Sequence, residues 1–134
     1  MSLLTKIRVR YCETDANGHV NNVSYFIYIE QARVDLLKDL QLTLSNDNYG
    51  MAVVSVSCDF ISPAFFDQEL EISTSVDKIG RKSVTLIHDI LDAFSKKKIA
   101  QGKSVAIILD IKENKSISLT EEWIQKLKKH QITT

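Results

Sequence analysis

The sequence predicts an α+β domain in which an antiparallel five-stranded sheet wraps a long central helix, followed by a short C-terminal helix. Three observations predict it. In the first half of the segment from Val23 to Leu40, Val23, Tyr25, Phe26, Ile27, Tyr28, Ile29 and Ala32 surround the helical axis almost completely, whereas a surface helix carries one apolar stripe. From Met51 to Ile111 the apolar residues recur with period two, interrupted at Pro63 and by two short polar turns, as in antiparallel neighbours. A sheet of this kind buries so apolar a helix only by curling around it. The 134 residues suffice for one core and are too few for two, so residues 1–134 are expected to form a single domain.

Composition narrows the class of partner. The 44% hydrophobic and 25% charged fractions are ordinary for a globular chain. Seventeen Lys plus Arg balance seventeen Asp plus Glu, which removes the broad positive field of non-specific nucleic-acid binding. No nucleic-acid partner is expected. No apolar run is long enough to span a bilayer, and Ser2-Leu3-Leu4-Thr5-Lys6 has neither a long apolar region nor a small-residue cleavage site. The expectation is a cytoplasmic protein without a membrane partner. Cys12 and Cys58 lie in strand-like runs without metal-ligand spacing and read as two reduced, packed thiols.

The elements follow in order. Lys6 to Tyr11 alternates charged and apolar residues, a strand with one wet face. Asp15, Asn17, Gly18, Asn21 and Asn22 then favour turns and caps, with Asn21 or Asn22 as N-cap of the long helix. Beyond Glu30 the helix relaxes to Ala32, Leu36, Leu37 and Leu40 inward, with Arg33, Asp35, Lys38 and Asp39 outward, so its far end is expected to meet water. Glu30 and Arg33 stand at ion-pair spacing. The polar run from Leu42 to Gly50 suggests a lid or a connection. In the next strand Val54, Val56, Cys58 and Phe60 share a face before Pro63 ends it. Leu70, Ile72, Thr74 and Val76 oppose a polar face, and Ile79-Gly80-Arg81-Lys82 is a hairpin turn. Ser83 to Phe94 is apolar on both faces, which suggests a central or interface strand. Ser95 to Lys98 turns again before a last long strand from Ile99 to Ile111. Thr120 caps the final helix, with Leu119 and Ile124 as its hydrophobic staple. The open edge such a sheet leaves predicts pairing with a second copy.

Asp15 sits seven positions before Asn22, on a loop that runs into the helix N-terminus. That brings a carboxylate near free backbone N–H groups, a pairing suited to acyl transfer: the N–H groups stabilise an oxyanion while the carboxylate activates water or attacks directly. Asp15 and Asn21 could equally make only turn and cap bonds, and spacing leaves both readings open. His19 is able to bond substrate, orient Asp15 or share a metal with it, but two ligands without a third argue against a metal. Tyr25 and Tyr28 read as core or interface residues. Arg81, Lys82 and Ser83 form a basic hairpin tip where cations can meet phosphates, or simply a solvated turn; Lys96, Lys97 and Lys98 read as solvated.

The run Tyr11-x-Glu-Thr-Asp15-x-x-Gly18-His19-Val20-Asn21-Asn22-x-x-Tyr25-x-x-Tyr28-x-Glu30-x-x-Arg33 resembles the signature of hot dog fold acyl-CoA thioesterases, the 4-hydroxybenzoyl-CoA thioesterase-like group. The likeness extends through Phe60-Ile-Ser-Pro63-Ala64, the Gly80 to Ser83 turn and the last strand. It implies the hot dog fold, hydrolysis of an acyl-CoA substrate without a cofactor, and a homodimer or homotetramer. It implies Asp15 as general base or nucleophile, the Asn22 backbone N–H as receiver of the thioester carbonyl, and Tyr25 lining the acyl pocket. It places Arg81, Lys82 and Ser83 near the pantetheine and phosphates of coenzyme A, with His19 and Asn21 as secondary site residues. The alternatives are an acyl-carrier-protein thioesterase, a non-catalytic acyl-CoA or acyl-carrier binding module and, less compatible with this arrangement, a hot dog dehydratase.

Overall fold

The computed structural model describes residues 2–41 and 48–132. They form β1 (Leu3–Arg8), one 3-10 turn (Tyr11–Glu13), α1 (Asn22–Asp39), β2 (Tyr49–Phe60), β3 (Glu69–Ile79), β4 (Ser83–Asp92), β5 (Lys98–Asp110), β6 (Lys115–Ser116) and α2 (Glu121–Lys128). The sheet order is β1-β3-β4-β5-β2, with the two-residue β6 beside β5, and all pairings are antiparallel. The five expected strands thus gain one short addition.

Alternation selects the face that meets α1. Leu70, Ile72 and Val76 of β3, Val84, Leu86 and Ile90 of β4, and Ala100, Ala106 and Ile108 of β5 are buried, as are Tyr25, Tyr28, Ile29, Ala32, Leu36 and Leu37 of α1. Each fully buried Ile or Leu contributes roughly 1.5–3 kcal/mol over its exposed state. Helix and sheet approach closely at Gly102, where an added Cβ would lie 2.4 Å from Ile29 Cδ1. The core is not continuous. One apolar cluster gathers around Tyr28 and Ile29 at the N-terminal end of α1, and another around Leu36 and Leu86 beneath α2. Between them lies a buried polar rung, Thr74, His88 and Ser104, one residue from each of β3, β4 and β5.

Several expectations are corrected. The first strand is Leu3–Arg8 rather than Lys6 to Tyr11, because Thr5 and Ile7 pair with Ile72 and Leu70 on the inner face; Tyr11 and Cys12 leave the sheet in the 3-10 turn and are exposed. The helix is not buried all round: Val23 is 66% and Ile27 50% exposed, because the sheet covers one side of α1 only. Its far end does not simply meet water. Leu36, Leu37 and Leu40 are buried, Lys126 Nζ donates to the Leu40 carbonyl at 3.0 Å, and His130 Nε2 lies 2.6 Å from Asp39. Arg33 turns inward and donates to Ser104 Oγ at 3.1 Å, so no Glu30–Arg33 ion pair occurs among the described residues. Of the polar run from Leu42 to Gly50, residues 42–47 lie outside the described residues, and Tyr49 and Gly50 already belong to β2. The last cap is as expected: Trp123 N–H donates to Thr120 Oγ1 at 3.2 Å, with Leu119 and Ile124 in one apolar cluster.

Candidate active site

The loop between β1 and α1 is built on its own polar groups. Its neck closes where Asn21 N–H and Ser24 Oγ donate to the Glu13 carbonyl, both at 2.9 Å. Inside it, Asp15 N–H donates to the His19 carbonyl at 2.8 Å and Gly18 N–H to the Asp15 carbonyl at 3.0 Å. Gly18 has φ +77°, a conformation side-chain-bearing residues rarely adopt. Asp15 Oδ1 accepts the N–H groups of Asn17 (2.9 Å) and His19 (3.2 Å). Its other oxygen meets no donor among the described residues.

The loop ends at the N-terminus of α1. Asn21 is the N-cap, its Oδ1 accepting Val23 N–H at 3.1 Å. The Asn22 N–H, first in the helix, has no acceptor among the described residues, as expected of a helix start, and carries the partial positive charge of that end. Opposite runs the segment that leaves β2. Ile61 and Ser62 N–H donate to the Ile99 carbonyl, each at 2.9 Å, and Val20 N–H to the Ala64 carbonyl at 2.8 Å, which fixes both walls to the sheet. Between them lies a cleft of about 250 Å³ with Asp15, His19, Asn22 and Tyr25 on one side and Phe60 to Pro63 on the other. The Tyr25 ring packs 5.3 Å from Phe60, and burial pushes its phenol pKa up. Grooves of about 530 and 430 Å³ beside β1 are larger, but neither is lined by Asp15 or the first residues of α1, and Arg8 and Arg10 in them are paired, Arg8 with Asp67 and Glu69 and Arg10 with Glu13.

The structure thus gathers Asp15, His19, Asn22 and Tyr25. It does not gather the other candidates. Asn21 uses its side chain on the cap and lies outside the cleft lining. It is the His19 main chain that holds Asp15, while the imidazole packs edge-on against Phe65 at 5.0 Å. Arg81, Lys82 and Ser83 sit beyond the far end of β3, whose 11 residues carry them about 35 Å from the cleft end. One residue was not singled out from sequence: Glu13, 5% exposed, accepts from Arg10 and from the Tyr28 hydroxyl. Its signal is a carboxylate three residues after an arginine and two before Asp15. Among the described residues no cluster of three His, Cys, Asp or Glu could hold a metal. Burial raises the Cys58 thiol pKa to about 11, far from a reactive thiolate. Among the described residues no helix is long and apolar enough to cross a membrane.

Comparison with known proteins agrees on one family. A family model described as the thioesterase-like superfamily matches residues 9–127. The YsmA protein of Bacillus subtilis is 31% identical over 90% of this chain and 82% of its own length. The long-chain acyl-CoA thioesterase FadM of Escherichia coli is 28% identical over 92% of this chain and 95% of its own. Among solved structures, the PA5185 protein of Pseudomonas aeruginosa superposes with a TM-score of 0.91 at 25% identity, covering 98% of this chain and 92% of that one.

Proposed function

This chain belongs to the thioesterase-like superfamily, and from that premise we propose that it hydrolyses an acyl-CoA thioester to the free acid and coenzyme A, with Asp15 as general base. One observation carries the proposal: a carboxylate oxygen of Asp15 and the N–H of Asn22, each without a partner among the described residues, border one cleft. The thioester carbonyl oxygen is received by the Asn22 N–H, which is oriented before the reaction and stabilises the oxyanion. Asp15 takes a proton from water as the water oxygen bonds to the carbonyl carbon. Collapse of the tetrahedral intermediate breaks the C–S bond, and that proton passes to the departing thiolate. Direct attack by Asp15, giving a mixed anhydride that water opens, uses the same two groups. Tyr25 and Phe60 form the apolar wall for the acyl group, His19 frames the loop through its backbone, and Asn21 acts through the cap.

A second copy completes this site. β2 is an edge strand, 12 residues long, and Val54, Val56 and Phe60 on it are 58%, 40% and 46% exposed. Such an edge invites strand pairing. Antiparallel pairing of β2 with β2 of a second copy reverses that copy end for end. Its Arg81–Ser83 hairpin then comes toward the cleft of the first, where its cations can meet the phosphates of coenzyme A.

The test is release of free coenzyme A from short, medium, long and aromatic acyl-CoAs by the native chain and by Asp15→Asn. We expect the substitution to lower kcat by about 10²–10⁴-fold with the melting temperature retained. Acyl-CoA binding without hydrolysis across the panel would replace the enzyme with a binding module or with a thioesterase acting on an acyl-carrier protein.

A further inference from the structure

We infer that Glu13 is a positioning residue for the hydrolysis, holding the loop that carries Asp15 against the N-terminus of α1. The inference rests on the role proposed for Asp15. Glu13 touches each strand of the neck of that loop. Before the loop, its Oε1 accepts the Arg10 N–H at 2.7 Å, and its Oε2 accepts Arg10 Nε and Nη2 at 3.0 and 2.8 Å. After the loop, its carbonyl accepts Asn21 N–H and Ser24 Oγ, each at 2.9 Å. In the second turn of α1, the Tyr28 hydroxyl donates to Oε1 at 3.0 Å. The neck of the loop from Thr14 to Val20, itself closed by a Thr14–Val20 bridge, is therefore tied on both sides by Glu13, while the Val20 N–H bond to the Ala64 carbonyl and a His19–Phe65 bridge hold the opposite side of the loop.

A charge is needed there, not merely a filler. Burying a carboxylate is costly unless donors replace its water. Burial alone drives the Glu13 pKa up, yet the Arg10 side chain, the Arg10 N–H and the Tyr28 hydroxyl hold it below the ordinary carboxylate value. Arg10 donors stand on both carboxylate oxygens, the backbone N–H on Oε1 and the guanidinium Nε and Nη2 on Oε2, so both positions must accept. A glutamine of the same volume would place an amide NH₂ at one of them. Glu13→Gln thus sets a donor against a donor at one of the two oxygen positions and keeps the packing, while Tyr28→Phe removes one donor and keeps the ring.

Two measurements test this. The first is a kinetic cycle with Asp15. Glu13→Gln is expected to lower kcat at least tenfold with KM for acyl-CoA within twofold, and Tyr28→Phe to lower it two- to threefold. On an Asp15→Asn background Glu13→Gln should lower kcat no further, because it acts through the group already lost. An unchanged kcat, or the same fold-loss on both backgrounds, would overturn the inference in favour of a purely structural carboxylate. The second is amide exchange in the full chain, which needs no turnover. Glu13→Gln should speed exchange at Asn17 and His19, the two N–H groups on Asp15, at least tenfold while β3 and β4 stay unchanged. Unaltered exchange at both amides overturns the inference whatever the enzyme assay gives. A native chain inactive on every acyl-CoA, with exchange responding as expected, would reject the proposed function and keep Glu13 as the holder of the loop.

Discussion

The two edges of the sheet end differently, although both lead to the same cleft. β1 is six residues long and turns Leu4, Lys6 and Arg8 to its outer face, opposite Ser73, Glu71 and Glu69. Short length and inserted cations are standard ways of blunting an edge. β2 is twice as long and lacks Lys, Arg and Pro, with Tyr49, Val53, Val54, Val56 and Phe60 all at least 39% exposed. From β1 the chain passes into the Asp15 loop; from β2 it passes into the Phe60–Pro63 wall. One edge is blunted within the chain and the other is open, so in the proposed dimer the side of the cleft that carries Asp15 is intrinsic while the opposite side is shared.

Breaking the open edge should give the largest effect of the contrast. Val56→Lys places like charges near one another wherever two β2 strands pair. Sedimentation should show the dimer dissociation constant raised ~100-fold, equivalent to about 2.8 kcal/mol. Release of coenzyme A per chain should fall at least tenfold at concentrations where the native chain stays paired. Native and variant chains that sediment alike as monomers with equal activity would end the idea of an unfinished edge.

The rung between the edges gives a smaller, pH-dependent effect. His88 Nδ1 lies 3.0 Å from Thr74 Oγ1 and Nε2 2.9 Å from Ser104 Oγ, the atom to which Arg33 donates. A neutral imidazole has one N–H and one bare nitrogen, so it donates to one of these hydroxyls and accepts from the other. The neutral ring suits the site; a protonated one does not. Burial, with the Arg33 charge, lowers its pKa from 6.5 to about 4. The unfolded chain therefore takes up a proton that the folded chain refuses between those values. Stability is retained above pH 6.5 and lost as pH falls toward 4, by roughly 3 kcal/mol in all. Urea melts across this range should display the loss, and His88→Gln should flatten it. A pH-independent native melt would remove the rung as a titrating element. Because the rung lies within each chain, the slope should persist in Val56→Lys, separating the stability of the sheet from that of its edge.

Much of this was legible beforehand. Period-two alternation placed β2 to β5, and Asp15, Asn17, Gly18 and Asn21 marked the loop, because local hydrogen bonding and positive φ are properties of the residues themselves. Alternation also put Thr74 in phase with Ile72 and Val76, but phase says only that a side chain points inward, not that Thr74, His88, Ser104 and Arg33 will satisfy one another across three strands and a helix. Glu13 was hidden for the same reason: its donors come from Arg10 nearby and from Tyr28 fifteen residues on. The place of Arg81 to Ser83 depends on strand direction, so a turn recognisable in sequence lies at the end of the sheet away from Asp15. Nor does the apolar face of β2 reveal from alternation alone whether a helix, a loop or another chain covers it.

The smallest effect is expected at the closed edge. Lys6 faces Glu71 across β1 and β3, yet Glu71 is already paired with Lys96 Nζ at 2.8 Å, so Lys6→Val removes a charge that no close ion pair requires. Exposed pairs are worth ~0–1 kcal/mol, and the melt should shift by no more than about 0.5 kcal/mol with coenzyme A release unchanged. The variant makes the outer row Leu4, Val and Arg8, apolar at two of three positions but still only six residues long. If charge alone kept β1 from pairing, Lys6→Val would form a larger assembly at high concentration, and the two edges would differ by one side chain. If the mass stays that of the native chain, short length and the remaining Arg8, tied to Asp67 and Glu69, suffice to close the edge. That outcome would locate the capacity for pairing in the length and apolar surface of β2, where the proposed site needs it.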